Sequence, residues 1–279
     1  FAFRAGDRTP FTLPGLVANG TLSAAAAALL SLSVERGVAA LVAGARGAGK
    51  TTLLGALLWE LPQAVRTVVI EDTPELPVDA LATHGRDVQP LQVGQDERSE
   101  ISPEKALRTA LRLGEGALVV GEVRGAEART LYEAMRVGRG GSAVLGTIHG
   151  DGGETVRERV VSDLGVAESA FATTDLLVTC RARETPGGRD HRVASIEEVT
   201  GDESVEFAPL YERDEQFRPT ERLDRGESRL LATLAEAGES YADVRDALAA
   251  RRDLLARLVE TERTTPADVV AAVESRSDG

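Results

Sequence analysis

A glycine-rich segment in the first fifth of the chain has the spacing of a phosphate-binding loop. Residues 44–51 read GARGAGKT and fit the pattern G-x-x-x-x-G-K-[ST]. Glycines permit the tight path in which successive backbone N–H groups surround a phosphate, and the N-terminus of a following helix adds a partial positive charge. Lys50 would bridge the β- and γ-phosphates of a nucleotide, and Thr51 would ligate Mg²⁺.

The neighbouring sequence favours this interpretation over a chance glycine-rich turn. An apolar strand-like run, GVAALVAG, precedes the loop, and residues 50–61 follow as a predicted helix that stops at Pro62. The residues expected to hold nucleotide are Gly44, Arg46, Gly47, Ala48, Gly49, Lys50, Thr51 and Thr52.

Acidic residues follow two other apolar strands. Glu71 and Asp72 come after TVVI, and Glu122 comes after LVVG. The carboxyl ends of parallel strands share one edge of a sheet, so these acids should lie near the phosphates. Nucleotide hydrolysis needs one carboxylate to hold Mg²⁺ and another to orient the attacking water, and Glu71 and Glu122 could divide those roles. The alternative is that each acid caps a following helix.

His149 ends a further predicted strand in the run GTIHGD. A lone histidine at such a position is more often structural than functional. The three histidines, at 84, 149 and 191, are too scattered in sequence to suggest the spacing of metal ligands.

The elements that must position these residues predict an α/β fold with a mainly parallel sheet covered on both faces. Ser23 should cap a helix that ends before Gly37, and buried strands are predicted at 67–70, 117–120 and 143–148. A helix over 126–137 separates the last two strands. Further along, LLVTCRA and HRVASIEEV flank the turn TPGGRD and predict a β-hairpin, and helices follow from about 228 to the end.

Composition narrows the class of protein. Apolar residues make up 42% of the 279, enough for a sizeable core, and no apolar run reaches the length of a membrane span. The single cysteine, Cys180, is expected in the core. A net charge of −13 argues against a non-specific nucleic-acid groove, and the acidic, lysine-poor composition suggests a salt-adapted organism, a halophilic archaeon by hypothesis.

Four segments taken in order resemble the nucleotide-site motifs of the type II/IV secretion ATPase superfamily. They are GARGAGKTTLL, VVIEDTPEL, ALVVGEVRGAEA and GRGGSAVLGTIHGD, which match the Walker A motif, the Asp box, an atypical Walker B motif and the His box. Within the superfamily they look most like the archaeal branch that serves pilus-like assembly and secretion. The segment FTLPGLVANGTLS and the C-terminal LAARRDLLARLVE also resemble family sequence, so the likeness covers nearly the whole chain.

The resemblance implies roles for matching residues. Glu71 becomes a catalytic or water-orienting carboxylate, Glu122 the Walker B acid and a Mg²⁺ ligand, and His149 a γ-phosphate sensor. Arg124 is expected either to reach a neighbouring site or to fix Glu122, the alternative being a surface ion pair.

The resemblance also implies an architecture. We expect a P-loop NTPase core of the RecA-like type at 21–225, a linker from a missing N-terminal domain at 1–20, and a C-terminal helical appendage at 226–279. Family members work with ATP and Mg²⁺ as homohexameric rings. They sit in the cytoplasm at the inner face of the membrane, where they drive a polytopic membrane platform protein.

Three departures from the family pattern and two rival functions accompany this hypothesis. Arg139 stands where the family usually has histidine, RLGEGALVV replaces the usual approach to Walker B, and the segment from His84 to Glu100 fits poorly. The first rival is a regulatory or scaffold paralogue that binds nucleotide without hydrolysing it. The second is a DNA-translocating motor, which the net charge disfavours.

Overall fold

The computed structural model describes residues 9–94, 101–112, 116–137, 142–186, 188–201, 204–213 and 217–277. Arg139, the segments 95–100 and 113–115, and Gly187 of the predicted turn TPGGRD lie outside the described residues. Strands in the described part form one nine-stranded sheet in the order β3-β2-β4-β5-β1-β6-β7-β8-β9. The strands are β1 (Ala39–Gly44), β2 (Thr67–Glu71), β3 (Val88–Gln92), β4 (Ala117–Val123), β5 (Val144–Ile148), β6 (Leu176–Thr185), β7 (Gly188–Thr200), β8 (Glu206–Arg213) and β9 (Phe217–Pro219).

The sheet has a parallel part and an antiparallel part. Neighbouring strands from β3 to β6 all pair in parallel, whereas β6 to β9 pair antiparallel. The mainly parallel α/β prediction is therefore confirmed. The predicted hairpin, β6–β7, extends the same sheet, because β6 pairs with β1 along one side and with β7 along the other.

Helices cover both faces of the sheet. They are α1 (Leu13–Ala18), α2 (Ala24–Glu35), α3 (Lys50–Leu57), α4 (Val78–Thr83), α5 (Pro103–Ala110), α6 (Glu127–Val137), α7 (Gly153–Glu158), α8 (Glu168–Phe171), α9 (Arg222–Arg225), α10 (Arg229–Leu234), α11 (Tyr241–Glu260) and α12 (Pro266–Ser277). Strand β1 is buried along its whole length, with Ala40 and Val42 in one core cluster and Leu41 and Ala43 in the other. This two-sided burial explains why the central strands are apolar without interruption.

The helix termini follow local chemistry. Ser23 Oγ accepts a hydrogen bond from Ala26 N at 3.3 Å and begins α2, and Gly37 follows its end with φ of 78°. The α-helix that begins at Lys50 ends at Leu57, four residues earlier than predicted. Its last turn tightens into a 3₁₀ helix over Leu58–Glu60 before Pro62, because the residue preceding a proline disfavours α conformation.

The C-terminal helices pack on the same core as the first sheet face. Leu231, Val244 and Val269 belong to the cluster that contains α2 and α3. Arg251 of α11 donates to Glu35 Oε1 at 2.8 Å and to Ser31 Oγ at 3.2 Å, both on α2. The domain boundary at 226 stays a prediction. Of the helices in the described ranges, none combines the length and the apolar character that a membrane crossing requires.

Candidate functional site

The loop between β1 and α3 requires glycine at three positions. Gly44, Gly47 and Gly49 have φ of 155°, 73° and 98°, values that favour glycine. A Cβ on Gly44 would lie 2.5 Å from the carbonyl oxygen of Cys180 on the adjacent strand, which a real side chain cannot tolerate. The sequence thus folds here into a tight loop that leads directly into a helix N-terminus.

Lys50 is the first residue of α3 and is only 8% exposed. Its Nζ donates to the carbonyl oxygen of Ala45 at 3.1 Å, which holds the ammonium over the loop. Burial lowers the Lys50 pKa, and the carboxylate of Glu122 opposes that shift. Thr51 and Thr52 follow on the first turn of α3, where Thr51 is half-buried and Thr52 is exposed.

The remaining loop residues differ in burial. Arg46 and Gly47 are exposed, Gly49 is half-buried, and Ala48 is buried with 3% exposure. A Cβ on Gly44 would also come within 3.0 Å of Ala48 Cβ, a second close approach that favours glycine at position 44. The predicted nucleotide-binding residues are therefore contiguous in space, at the carboxyl end of β1.

Glu71 is the last residue of β2 and is buried. Its Oε1 accepts hydrogen bonds from Glu75 N and Leu76 N, each at 3.1 Å. Burial raises the Glu71 pKa, and the two N–H donors partly offset that rise. One carboxylate oxygen thus holds the turn that follows β2, and it caps no helix, because α4 begins only at Val78.

Glu122 lies at the centre of a charged cluster. Strand β4 runs on to Val123 with an irregularity after Val120, so Glu122 lies within the strand, where the sequence analysis expected it just beyond the strand end. Glu122 Oε2 accepts from Arg124 Nη2, and His149 Nε2 lies 3.4 Å from Glu122 Oε1. Arg124 Nη1 also donates to Asp72 Oδ2 at 3.1 Å. The structure therefore brings Glu122, Arg124 and His149 together, with Asp72 as a fourth member.

Two residues that the sequence analysis missed support this cluster. Buried Glu127, which begins α6, accepts at Oε1 from Arg124 N at 2.6 Å and from Gly125 N at 2.8 Å. Thr147 Oγ1 donates to the carbonyl oxygen of Gly121 at 2.5 Å and ties β5 to β4 behind Glu122. The available signal for Glu127 was an acid in the first helical turn, which is typical of a helix N-terminus.

A cavity of about 450 Å³ opens beside these carboxylates. Glu71, Glu122 and Arg124 line one side of it, and Val93 and Leu107 give it an apolar wall. The volume is within the range of small-molecule sites.

The chemistry of the donor set fits Mg²⁺ bound with phosphate. Mg²⁺ prefers oxygen ligands and commonly takes only one or two from the protein. The Thr51 hydroxyl, in the first turn of α3, and the Glu122 carboxylate, in β4, are oxygen donors of the kind that Mg²⁺ would take. Within the described ranges, no group of three or more His, Cys, Asp or Glu residues could hold a metal by protein ligands alone.

Side chains from the β6–β7 hairpin lie against the other side of the loop. A Cβ on Gly47 would lie 2.9 Å from Arg189 Nη1, and one on Gly49 would lie 3.5 Å from His191 Nδ1. The two residues are two apart on β7 and share a face of the strand. Sequence reasoning treated His191 only as a scattered histidine, because a contact across some 140 residues leaves no local signal.

Comparison with known proteins identifies the family. The family model described as "Type II/IV secretion system protein" matches residues 1–184, and the chain belongs to this family. A protein of Mycobacterium tuberculosis named for conjugal transfer is 35% identical over 191 residues, which are 66% of this chain and 53% of that protein. An uncharacterized protein of Methanocaldococcus jannaschii is 31% identical over 257 residues, 88% of this chain and 91% of its own length. The chain spans about half the length of the Mycobacterium relative.

Solved structures support the fold. The ATPase DotB of Legionella pneumophila superimposes with a TM-score of 0.53 at 18% sequence identity. The match covers 96% of this chain and 67% of the DotB chain. The VirB11 ATPase of the Brucella suis type IV secretion system gives a TM-score of 0.50 at 23% sequence identity. The match covers 62% of this chain and 51% of the VirB11 chain. The RecA-like fold expected from the sequence motifs is therefore that of secretion ATPases.

Proposed function

We propose that this chain is the ATP-hydrolysing motor of a type II/IV secretion machine or of an archaeal type IV pilus-like assembly. The observation that carries the proposal is the combination of a phosphate loop that holds Lys50 over its own backbone with a carboxylate, Glu122, that contacts both Arg124 and His149. Membership of the family and the ATPase names of the structural neighbours support it.

Each residue then has a task. The loop from Gly44 to Thr52 binds the phosphates of ATP, and Lys50 exchanges the carbonyl of Ala45 for β- and γ-phosphate oxygens. Mg²⁺, held by Thr51 and Glu122, would neutralise charge on those oxygens. Glu71 orients the attacking water.

The remaining two residues respond to the γ-phosphate. His149 is half exposed and lies next to Glu122, so it can sense whether the γ-phosphate is present. Arg124 holds Glu122 and Asp72 in place until nucleotide arrives, because it pairs with both carboxylates. Hydrolysis is then coupled to rearrangement of this ion-pair cluster.

The machine itself is proposed from the family. Homohexameric rings of such chains would work in the cytoplasm at the inner face of the membrane. They would pass domain movement to a polytopic membrane platform protein. Direct nucleic-acid binding is not part of the proposal, since a net charge of −13 repels a polyanion.

One specific feature favours a second candidate, a scaffold paralogue that binds nucleotide without hydrolysing it. Glu71 Oε1 is engaged by two backbone N–H groups, and Glu122 is already paired with Arg124. The carboxylates of Glu71 and Glu122 thus already have structural partners, and these partners would compete with a water molecule for the same oxygens.

Phosphate release separates these candidates. Lys50→Ala should abolish nucleotide binding, whereas Glu122→Gln should keep binding and reduce phosphate release at least about a hundredfold, the scale of losing a group that acts in the transition state. Glu154→Gln is the matched control, because Glu154 is 72% exposed and pairs only with Arg157 among its ion-pair contacts in the described chain. ATP binding by the unaltered protein without phosphate release above background would support the scaffold, and full activity of Glu122→Gln would refute the role given to Glu122.

A further inference from the structure

The chain that follows β5 reaches past β1 to the antiparallel part of the sheet. His149 comes directly after β5, and Gly153 begins α7; we call residues 149–153 the His149 loop. In the sheet, β5 lies on one side of β1, and β6, β7 and β8 lie on the other. Contacts between the His149 loop and β6 or β8 therefore span β1, the strand that leads into the phosphate loop.

An exposed ion pair joins the His149 loop to β6. Arg181 Nε donates to Asp151 Oδ1 at 2.8 Å, and each side chain is 62% exposed. Arg181 comes one residue after Cys180, whose register partner on β1 is Gly44, the first glycine of the phosphate loop. The ion pair therefore lies at the same edge of the sheet as the phosphate loop, and it holds the chain two residues beyond His149.

The end of the His149 loop lies against an aromatic ring of β8. A Cβ on Gly153 would be 2.3 Å from both Cγ and Cδ1 of Phe207, closer than a real side chain permits. Phe207 in turn contacts Phe171, with 6.1 Å between the ring centroids. Gly150 makes a similar approach, because its Cβ would be 2.5 Å from Cγ2 of the buried Val156. The backbone of the loop thus lies directly on packed side chains, which set its position.

His149 itself is held loosely. Its side chain is 50% exposed, and its Nε2 lies 3.4 Å from Glu122 Oε1, which is long for a hydrogen bond. The backbone of the His149 loop therefore decides where the imidazole lies relative to a bound phosphate. Displacement of a functional group by about 1 Å can cost up to about a hundredfold in rate.

We infer that Arg181 and Phe207 are positioning residues for His149, and that they set how strongly the site prefers a nucleotide with a γ-phosphate over one without it. Arg181 holds the loop through Asp151, and Phe207 holds its end through Gly153. Both residues act through the loop, so neither has to touch the nucleotide. The inference rests on the proposed function, because it deepens the γ-phosphate sensing assigned there to His149.

The test compares a ligand that carries a γ-phosphate with one that lacks it. Calorimetry at one Mg²⁺ and salt concentration would measure the affinities of the chain for AMP-PNP, a non-hydrolysable ATP analogue, and for ADP. Arg181→Ala should lower the ratio of the two affinities about threefold, within the range of an exposed ion pair, and leave ADP affinity within about twofold. Phe207→Ala should lower the ratio about tenfold, and Phe207→Leu less, because leucine keeps an apolar side chain near Gly153.

Exchange of the two charges separates positioning from general damage. Asp151→Arg combined with Arg181→Asp rebuilds the ion pair in the opposite sense and should restore most of the ratio that Arg181→Asp alone loses. Raising the salt concentration should lower the ratio of the unaltered chain more than that of Arg181→Ala, because salt screens an exposed ion pair. Arg183→Ala is the matched control and should leave the ratio unchanged, since Arg183 is exposed on the same strand and lies opposite Asp190 of β7. If Phe207→Ala does not fold, Arg181→Ala and Phe207→Leu decide the question.

The outcomes separate this inference from the proposed function. If His149→Ala lowers the ratio while Arg181→Ala and the Phe207 variants leave it unchanged, the positioning role is wrong and the sensing role stands. Equal losses of AMP-PNP and ADP affinity in the Arg181 and Phe207 variants would also overturn the positioning role. If the unaltered chain binds AMP-PNP no better than ADP, or if His149→Ala leaves the ratio unchanged, the sensing role in the proposed function fails, and the positioning role with it.

Discussion

Replacing Glu127 with alanine tests whether the turn before α6 positions the charged cluster. Glu127 is buried, and its Oε1 accepts two short hydrogen bonds from the backbone of Arg124 and Gly125. Loss of a capping side chain costs about 0.5–2 kcal/mol. Because two backbone donors bond to the same carboxylate oxygen here, we expect Glu127→Ala to lower the free energy of unfolding by about 2 kcal/mol. For a chain of this size that corresponds to a fall in Tm of roughly 4–8 °C.

The same substitution should also slow hydrolysis. Arg124 holds Glu122 only while the turn keeps its backbone in place, and small displacements of catalytic groups cost up to about a hundredfold in rate. We expect Glu127→Ala to lower kcat for phosphate release about tenfold with less change in KM for ATP. Glu127→Gln retains an acceptor oxygen and should recover part of both losses.

Thermal unfolding and steady-state phosphate release are the assays, with Glu133→Ala as the matched control on the exposed face of the same helix. If Glu127→Ala behaves like Glu133→Ala in both assays, the turn does not position Arg124. A lower Tm with unchanged kcat would show that the hydrogen bonds stabilise the helix and play no part in the chemistry.

Three further predictions concern the loop, the tail and pH. Gly44→Ala should abolish ATP binding in calorimetry, since its Cβ would meet the Cys180 carbonyl; normal binding would contradict the close approach. Arg251→Ala should lower the free energy of unfolding by about 2 kcal/mol in urea titrations, because it removes the hydrogen bonds of a buried guanidinium to Glu35 and Ser31, whereas exposed Arg252→Ala should change it little. Burial raises the Glu71 pKa, so the folded state binds a proton at Glu71 more tightly than the unfolded state does. The Tm of the unaltered chain should therefore rise relative to the Tm of Glu71→Gln as pH falls from 7 toward 4.5. A difference in Tm that stays constant with pH would refute this.

The parts of the fold that sequence predicted share one physical cause. Strands such as β1, β2 and β5 are buried on both faces, so their residues are apolar without interruption. Strand β3, with the sequence VQPLQ, was missed because it lies at the sheet edge, where Pro90 is tolerated and the side chains are partly exposed. The end of β4 was placed too early because Gly121 and Glu122 interrupt its apolar run.

In the candidate site, too, some residues could be predicted from the sequence and others could not. The phosphate loop could be predicted because its tight backbone requires glycine at fixed positions. The acidic residues could be predicted because the carboxyl ends of parallel strands meet at one edge of the sheet. Glu127 and His191 could not be predicted as site residues, since their partners are set by how a turn closes and how a hairpin folds over the loop.

A chain of buried polar contacts crosses the apolar layer behind the phosphate loop. Glu60, at the far end of the segment that begins with Lys50, accepts from Ser31 Oγ at 2.5 Å, and Ser31 in turn accepts from Arg251 of α11. Apolar surfaces alone would let one helix slide along another at little cost, whereas sliding here would separate buried charges from their partners. Helix α11 is thus fixed in axial register to α2 and to the segment that begins at Lys50, so a shift of α11 along its axis would have to break these buried contacts.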